Sequence, residues 1–190
     1  MDAAALARRT LLEGVGAEVA ASFPGITRLG GQIVAALYLA DGARSMDELS
    51  GELGRSKSNI FSNLRGLEAA GIVAHHRRQG ARHDRYELRG KYPDVVIGAY
   101  VTRLRKVVAD KRALVLKARE VLGDAKGPDA AAIRAKLDAL GRTYDRFAEL
   151  FAMIPVADGP LDLEAIIEEL PRAALEAIAS VTRRALSSAR

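Results

Sequence analysis

The 190-residue sequence contains no cysteine and no tryptophan, and aromatic residues make up only 5% of it. The absence of cysteine excludes a disulfide framework, a thiolate metal site and a cysteine nucleophile, and it fits a cytoplasmic location. The longest clean apolar run, residues 33–40, is far too short to span a bilayer, so we expect no membrane partner. The first residues, MDAAALARRTLLEG, lack the long apolar core of a signal peptide.

Signals of catalysis or metal binding are also scarce. The three histidines are His75, His76 and His83, and adjacent strand residues point to opposite faces, so the first two cannot share one metal without distortion. Gly14-Val15-Gly16 lies inside a helical pattern without a preceding strand, which excludes a dinucleotide-binding loop. We therefore expect no metal, no cofactor and no enzymatic activity.

Positive charge, in contrast, is concentrated in one segment. The chain carries a formal net charge of +5. Residues 55–91 hold nine Lys and Arg against three acids, whereas the remaining residues hold 20 basic and 21 acidic side chains. Such a segment indicates a polyanionic partner.

The start of this basic segment has the pattern of a helix-turn-helix. Ser45 and Glu48 have the spacing of a capping box for a helix over 46–53. Gly54 supplies a turn, and Ser56 is placed to cap the next helix. Two capped helices joined by so short a turn are what a helix-turn-helix requires.

The second of these helices is amphipathic. Its apolar stripe consists of Ile60, Leu64 and Leu67. Seven other residues are the candidates for contact with nucleic acid: Ser56, Lys57, Ser58, Asn59, Ser62, Asn63 and Arg65. Ser58, Asn59, Ser62 and Asn63 are the candidates for base contacts, and the two cations would mainly bind phosphate. The alternative is an ordinary amphipathic helix with a solvated face.

After a helix stop at Gly71, two strands are predicted over 72–78 and 82–88, joined by a hairpin at 79–81. Basic side chains are concentrated around this hairpin and repel one another. Contact between the hairpin tip and phosphate groups would offset this repulsion. The candidates are Arg77, Arg78, Arg82, His83 and Arg85. The alternative is a solvated charged turn.

Helices occupy most of the remaining chain. We expect one over 2–22 and one over 27–39, where Gly30-Gly31 suggests close approach to another helix. A long helix over 94–122 has heptad spacing, interrupted by Lys111, and a second heptad helix follows with Ile133, Leu137, Leu140, Tyr144, Phe147 and Phe151. The residues predicted to form a dimer seam are Ile97, Val101, Leu104, Val108, Val115 and Leu122.

The predicted fold class is mainly α with a small β-hairpin: a winged helix-turn-helix followed by long C-terminal dimerisation helices. We divide the chain into an N-terminal packing or dimerisation helix (1–23), a winged helix-turn-helix (24–92) and a helical dimerisation region with a potential effector site (93–190). Aromatic residues on or near the long helices are more often core than a ligand cage. They are Phe23, Tyr38, Tyr92, Tyr100, Tyr144, Phe147 and Phe151.

Residues 30–92 resemble the MarR-like winged-helix regulators, and more closely their glycine-betaine synthesis repressor (GbsR-type) branch. The matching segments are GGQIVAALYLAD, SMDELSGELGRSKSNIFSNLRGLEAAGIV and RRQGARHDRYEL. The resemblance covers roughly the first 110 residues by its sequence pattern. It implies a homodimeric bacterial transcriptional regulator, often a repressor and sometimes released by a small ligand.

We predict a homodimeric, sequence-specific transcriptional regulator that binds double-stranded DNA at a pseudo-palindromic operator. A small-molecule effector of unidentified chemistry is a further expectation. The alternative is a winged helix that serves protein assembly without touching DNA. Interaction modules usually expose apolar residues on the second helix, whereas this helix exposes Lys, Ser and Asn. Phe61 is the residue that favours the alternative.

Overall fold

The structure is a computed structural model that describes residues 2–76, 84–153 and 162–187. Helices predominate among these residues. They are α1 (Ala3–Ser22), α2 (Arg28–Tyr38), α3 (Met46–Leu53), α4 (Lys57–Ala69), α5 (Asp94–Leu122), α6 (Pro128–Ala152), α7 (Leu163–Glu169) and α8 (Arg172–Ser187). No helix within the described residues combines the length and the apolar content that crossing a bilayer requires.

Three short strands form one antiparallel sheet with the order β1-β3-β2. They are β1 (Arg44–Ser45), β2 (Val73–His76) and β3 (Arg85–Leu88). Ala74 pairs with Glu87 and Ser45 with Arg85 in the register of the sheet. The sequence predicted the β2–β3 hairpin but not β1, which the structure adds.

The core lies between α1, α2, α3, α4 and the sheet. Its largest fully buried side chains are Ile33, Val34, Leu49, Ile60, Leu64, Leu67, Ile72 and Val73. Val15 and Val19 of α1 and Val95 and Ala99 of α5 complete the same cluster. Both α1 and the first turns of α5 are therefore packed into the core of the winged helix, across the domain boundaries predicted near residues 23 and 93.

The glycines of α1 and α2 let the two helices cross in backbone contact. A Cβ atom on Gly31 would lie 2.8 Å from the Cα of Gly16 and 2.8 Å from the carbonyl oxygen of Val15. A Cβ on Gly16 would lie 3.0 Å from the carbonyl oxygen of Arg28. The close approach expected from the glycine pair in α2 is thus made with α1.

The long helices α5 and α6 form an antiparallel hairpin. Val108 and Val115 of α5 are buried, and Val115 lies close to Gly141 of α6. On one side of this contact, Arg112 binds Asp145 at 2.8 Å and Arg119 binds Asp138 at 2.7 Å. The centre of the predicted dimer seam therefore packs within the chain, because α6 folds back onto it.

The α6 residues that face α5 in this contact are not the ones that the predicted heptad would place there. Gly141 is buried, and Leu137 and Tyr144 are partly buried, whereas Leu140 is 44% exposed. Lys111 is exposed rather than inside the α5–α6 contact. Such a helix carries two series of residues with heptad spacing. The contact with α5 uses the series that contains Gly141, because a residue without a side chain lets the facing helix approach closely.

The helix-turn-helix, the sheet and the long hairpin together confirm the predicted fold class, mainly α with a small β-hairpin in a winged helix. Capping explains why the helix starts were predictable. Thr27, Ser45 and Ser56 each accept a hydrogen bond from a backbone N–H in the first turn of the helix that follows.

The α1–α2 crossing generates a stability prediction. Gly31→Ala should lower the free energy of unfolding by about 1–3 kcal/mol, since its Cβ meets backbone atoms that cannot move independently. Thermal or urea denaturation measures this loss. Gly14→Ala in α1 is the matched control, because its Cβ meets no described atom within 4 Å. That variant should gain about 0.5–1 kcal/mol, and equal losses in both variants would contradict the crossing.

Candidate nucleic-acid interface

The turn between α3 and α4 is fixed by backbone and side-chain hydrogen bonds. Gly54 adopts a left-handed conformation with φ of 60° at the end of α3. The Arg55 backbone N–H donates to the Ser50 carbonyl at 3.2 Å, and the Ser50 hydroxyl donates to the Arg55 carbonyl at 2.6 Å. Ser56 then starts α4 by accepting from the Asn59 N–H at 3.4 Å. This turn holds the two helices in one fixed relation.

One face of α4 is anchored, which leaves the opposite face in solvent. Ile60, Leu64 and Leu67 are each at most 1% exposed. With about 100° per residue, Ser58, Ser62 and Arg65 project from the other side of the helix, and all three are exposed. The outward face of α4 therefore carries hydroxyl groups and a guanidinium that can contact bases and phosphates.

Asn63 occupies a different position from the other predicted base-contacting residues. Its amide nitrogen donates to the Asn59 carbonyl at 2.8 Å, and its amide oxygen accepts from the Thr27 hydroxyl. Thr27 is also the N-cap of α2 and accepts from the Gly30 N–H at 3.1 Å. A Cβ on Gly30 would lie 3.3 Å from the Asn63 amide oxygen. Asn63 thus ties α4 to the start of α2.

The cations of α4 are paired with neighbouring acids. The Lys57 ammonium lies 2.6 Å from the Asp47 carboxylate of α3. Arg65 donates to Glu68 at 3.0 Å, and Glu68 also bonds to the ring of His75 on β2. The hydrogen bond with His75 holds the pKa of Glu68 below its ordinary value, with smaller contributions from Arg65. Lys57 and Arg65 are nevertheless both 66% exposed.

Arg85 connects the wing to the start of α3. It donates to the Ala43 carbonyl at 3.0 Å and to the Glu48 carboxylate at 3.2 Å. Glu48 in turn accepts from the Ser45 backbone N–H at 2.7 Å and from its hydroxyl at 2.8 Å. These Ser45 bonds are the main reason that the pKa of Glu48 lies below its ordinary value, and Arg85 adds to the effect.

The other wing candidates, Arg77, Arg78, Arg82 and His83, lie outside the described residues. At the base of the wing, His76 bonds to Glu87 at 2.7 Å across the hairpin. Within residues 2–76, 84–153 and 162–187, no three His, Asp or Glu side chains are grouped closely enough to hold a metal ion.

Six of the seven aromatic residues considered for a ligand cage form three separate pairs. The ring centroids of Tyr38 and Tyr92 are 5.2 Å apart beside a cleft of about 390 Å³, and burial raises the pKa of Tyr92. The other pairs are Phe23 with Tyr100 and Tyr144 with Phe147. Among the described residues, these side chains are distributed over the molecule rather than gathered around one cavity.

Sequence reasoning missed the Thr27–Asn63 and Arg85–Glu48 contacts. Thr27 followed by a helical segment is itself an N-cap signal. The partner of Thr27, however, is 36 residues away, and the partner of Glu48 is 37 residues away. No local spacing rule predicts such contacts, because they depend on how α4 and β3 pack on the core.

The Glu48 geometry predicts a pH-dependent contribution to stability. Because the pKa of Glu48 is lowered on folding, its contribution is present above the ordinary value of 4.5 and is lost as the pH falls through the folded value. Glu48→Gln should lower the free energy of unfolding at pH 7 by up to about 1 kcal/mol. Denaturation from pH 7 to pH 3 should show the difference from the unmodified chain shrinking below pH 4.5.

Asp124→Asn is a control for this measurement, since Asp124 is an exposed acid in the loop between α5 and α6. It should leave the pH profile close to that of the unmodified chain. A Glu48→Gln deficit that stays constant down to pH 3 would contradict the assigned carboxylate contacts.

No protein-family model matches the sequence, and no curated protein matches it. Among solved structures, it is similar to a transcriptional regulator with 21% identity, covering 77% of this chain and 97% of the other, at a TM-score of 0.55. Transcriptional regulator Tm0710 from Thermotoga maritima shows 22% identity, covering 73% of this chain and 89% of the other, at 0.38. BldR from Sulfolobus solfataricus shows 22% identity, covering 75% and 89%, at 0.37. The first similarity shows a shared fold.

Proposed function

We propose that the chain is a sequence-specific transcriptional regulator that binds double-stranded DNA by inserting α4 into the major groove. The observation that carries the proposal is the outward face of α4, where Ser58, Ser62 and Arg65 are exposed on a helix whose other face is anchored in the core. An α-helix fits the major groove, and hydroxyl groups and guanidinium groups are suitable hydrogen-bonding partners for base edges and phosphates.

The candidate residues divide into three roles. Ser58, Asn59 and Ser62 supply contacts with bases, whereas Lys57 and Arg65 bind phosphates. Asn63 acts as a positioning residue, since both ends of its amide already bond within the chain. This role replaces the base contact that the sequence predicted for Asn63. The wing candidates Arg77, Arg78, Arg82, His83 and Arg85 extend the phosphate contacts.

Binding to DNA is tested first by selecting bound sequences from a random DNA pool with the purified chain. Lys57→Ala should then weaken binding to the selected DNA. It should also reduce the slope of log K against log salt concentration by about one, because one phosphate contact is lost. Lys126→Ala removes the same charge from the exposed loop between α5 and α6 and should leave the slope unchanged. Failure to enrich any sequence would overturn the proposal.

The second part of the proposal is a homodimer built on an exposed apolar surface of the α5–α6 hairpin. We call this surface the outer stripe: Tyr100, Val107, Leu114 and Val121 on α5, and Ile133, Leu140 and Phe147 on α6. Each set repeats every seven residues, which is the spacing of a helix that packs along a partner helix. The exposed fractions range from 40% at Tyr100 to 81% at Val121.

Both halves of the outer stripe lie on the same face of the hairpin. Leu114 directly precedes the α6-facing Val115, and Leu140 directly precedes the α5-facing Gly141, so each projects about 100° to one side of the contact. The Arg112–Asp145 pair projects about 40–60° to the other side. One face is thus apolar and the other is closed by ion pairs.

The size of this face suits a second copy of the chain. The 25-residue helix α6 is about 37 Å long, and two helices side by side are about 18 Å wide. The product, about 700 Å², is close to the roughly 800 Å² that each partner buries in a standard interface. Two hairpins joined through their outer stripes would make a four-helix bundle.

A matched pair of substitutions tests this interface. Leu114→Glu should convert a dimer into a monomer, because it places a charge in the apolar contact, whereas Leu116→Glu should leave the dimer intact. The two leucines are 58% and 57% exposed and lie on opposite sides of α5. Sedimentation or light scattering measures the mass. A monomeric unmodified chain, or equal effects of both substitutions, would contradict the outer stripe as the interface.

A two-fold dimer binds a pseudo-palindromic operator whose half-sites lie about 34–36 Å apart. The resemblance of residues 30–92 to the MarR-like and GbsR-type regulators extends the proposal to membership of that group. It also supports repression by occupying the operator and release by a small molecule. Assembly with another protein is the second candidate function, favoured by the 50% exposure of Phe61.

A further inference from the structure

Phe61 is a large apolar side chain on the solvent side of α4. It follows the fully buried Ile60 and is 50% exposed. At about 100° from Ile60 it borders the outward face that carries Ser58 and Ser62. The ring is therefore placed beside the polar groups that the proposed complex would bring to the bases.

The charges around Phe61 indicate what kind of partner its ring meets. Lys57 and Arg65 lie four residues before and four residues after it, and side chains at this spacing are neighbours on a helix. Both cations are 66% exposed. Each cation is paired with an acid: Lys57 with Asp47, and Arg65 with Glu68, which also bonds to His75. An apolar ring between two cations suits a surface that is negatively charged and also presents an apolar group.

DNA presents such a group in the major groove. Of the four bases, thymine alone carries a methyl group at C5, and phosphates flank the groove on both sides. We infer that Phe61 is a specificity-determining residue that selects a thymine by packing its ring on the 5-methyl group. This inference rests on the proposed binding of α4 in the major groove.

The experiment begins with the random-pool selection, carried out with the unmodified chain, Phe61→Ala and Phe61→Leu. The unmodified chain should select a motif with a fixed thymine in each half-site. Phe61→Ala should still select a related motif but lose the preference at that position. Phe61→Leu should keep it, since an aliphatic side chain also packs on a methyl group.

Replacing the fixed thymine by deoxyuridine then removes only the methyl group. For the unmodified chain, the affinity should fall about fourfold per half-site, the effect of about 0.8 kcal/mol for one buried carbon. For Phe61→Ala, thymine and deoxyuridine should bind equally. Because the ring is half exposed, thermal denaturation should show that the variant remains folded.

Each outcome bears on one of the two proposals. Failure of the unmodified chain to select DNA overturns the proposed function. Selection of DNA with equal binding of thymine and deoxyuridine overturns the role of Phe61 alone. A Phe61→Ala variant that keeps both the affinity and the thymine preference also overturns the role of Phe61, and would favour contact of the ring with a protein partner. If replacing thymine by deoxyuridine weakens binding equally in the unmodified chain and in Phe61→Ala, another residue contacts the methyl group and the inference is overturned.

Discussion

The backbone contact between α1 and α2 is the constraint on which the placement of α4 depends. Gly16 and Gly31 let the two helices touch, and this contact fixes where α2 begins. Thr27, at the start of α2, then holds the side chain of Asn63 on α4. A larger side chain at the crossing would separate α1 from α2 and move the point at which α4 is attached. The N-terminal helix therefore belongs to the structure that aims the proposed recognition helix.

The helix boundaries were predictable because they depend on neighbouring residues. Ser45 and Glu48 satisfy each other within one turn, and Gly54 adopts the backbone conformation that its lack of a side chain allows. Strand β1 was not predictable, since Arg44 and Ser45 form a strand only by pairing with β3, which begins 40 residues after Ser45. The contact of Asn63 with Thr27 was not predictable for a similar reason. Thr27 stands just before α2, and which residue of α4 meets it depends on tertiary packing.

The heptads of α5 and α6 show that residue spacing alone does not predict which face of a helix packs against its neighbour. Val108 and Leu114 both belong to series that repeat every seven residues, and spacing alone does not say which series meets α6. The structure separates them, since Val108 is 7% exposed and Leu114 is 58% exposed. The intramolecular contact follows the small side chain of Gly141 and the two Arg–Asp pairs. The residues left outside form the outer stripe, which is more apolar than a solvated helix face requires.

The ion pairs around α4 explain how cations can be ordered and still remain available to phosphate. Lys57 and Arg65 each bond to an acid, yet both are 66% exposed. Exposed pairs contribute only about 0–1 kcal/mol, because water and salt screen them. A phosphate can therefore replace the acid at small cost, while the pairing limits the conformations of each side chain beforehand. In the proposed complex these cations supply affinity that is independent of sequence, and the uncharged side chains between them supply the selectivity.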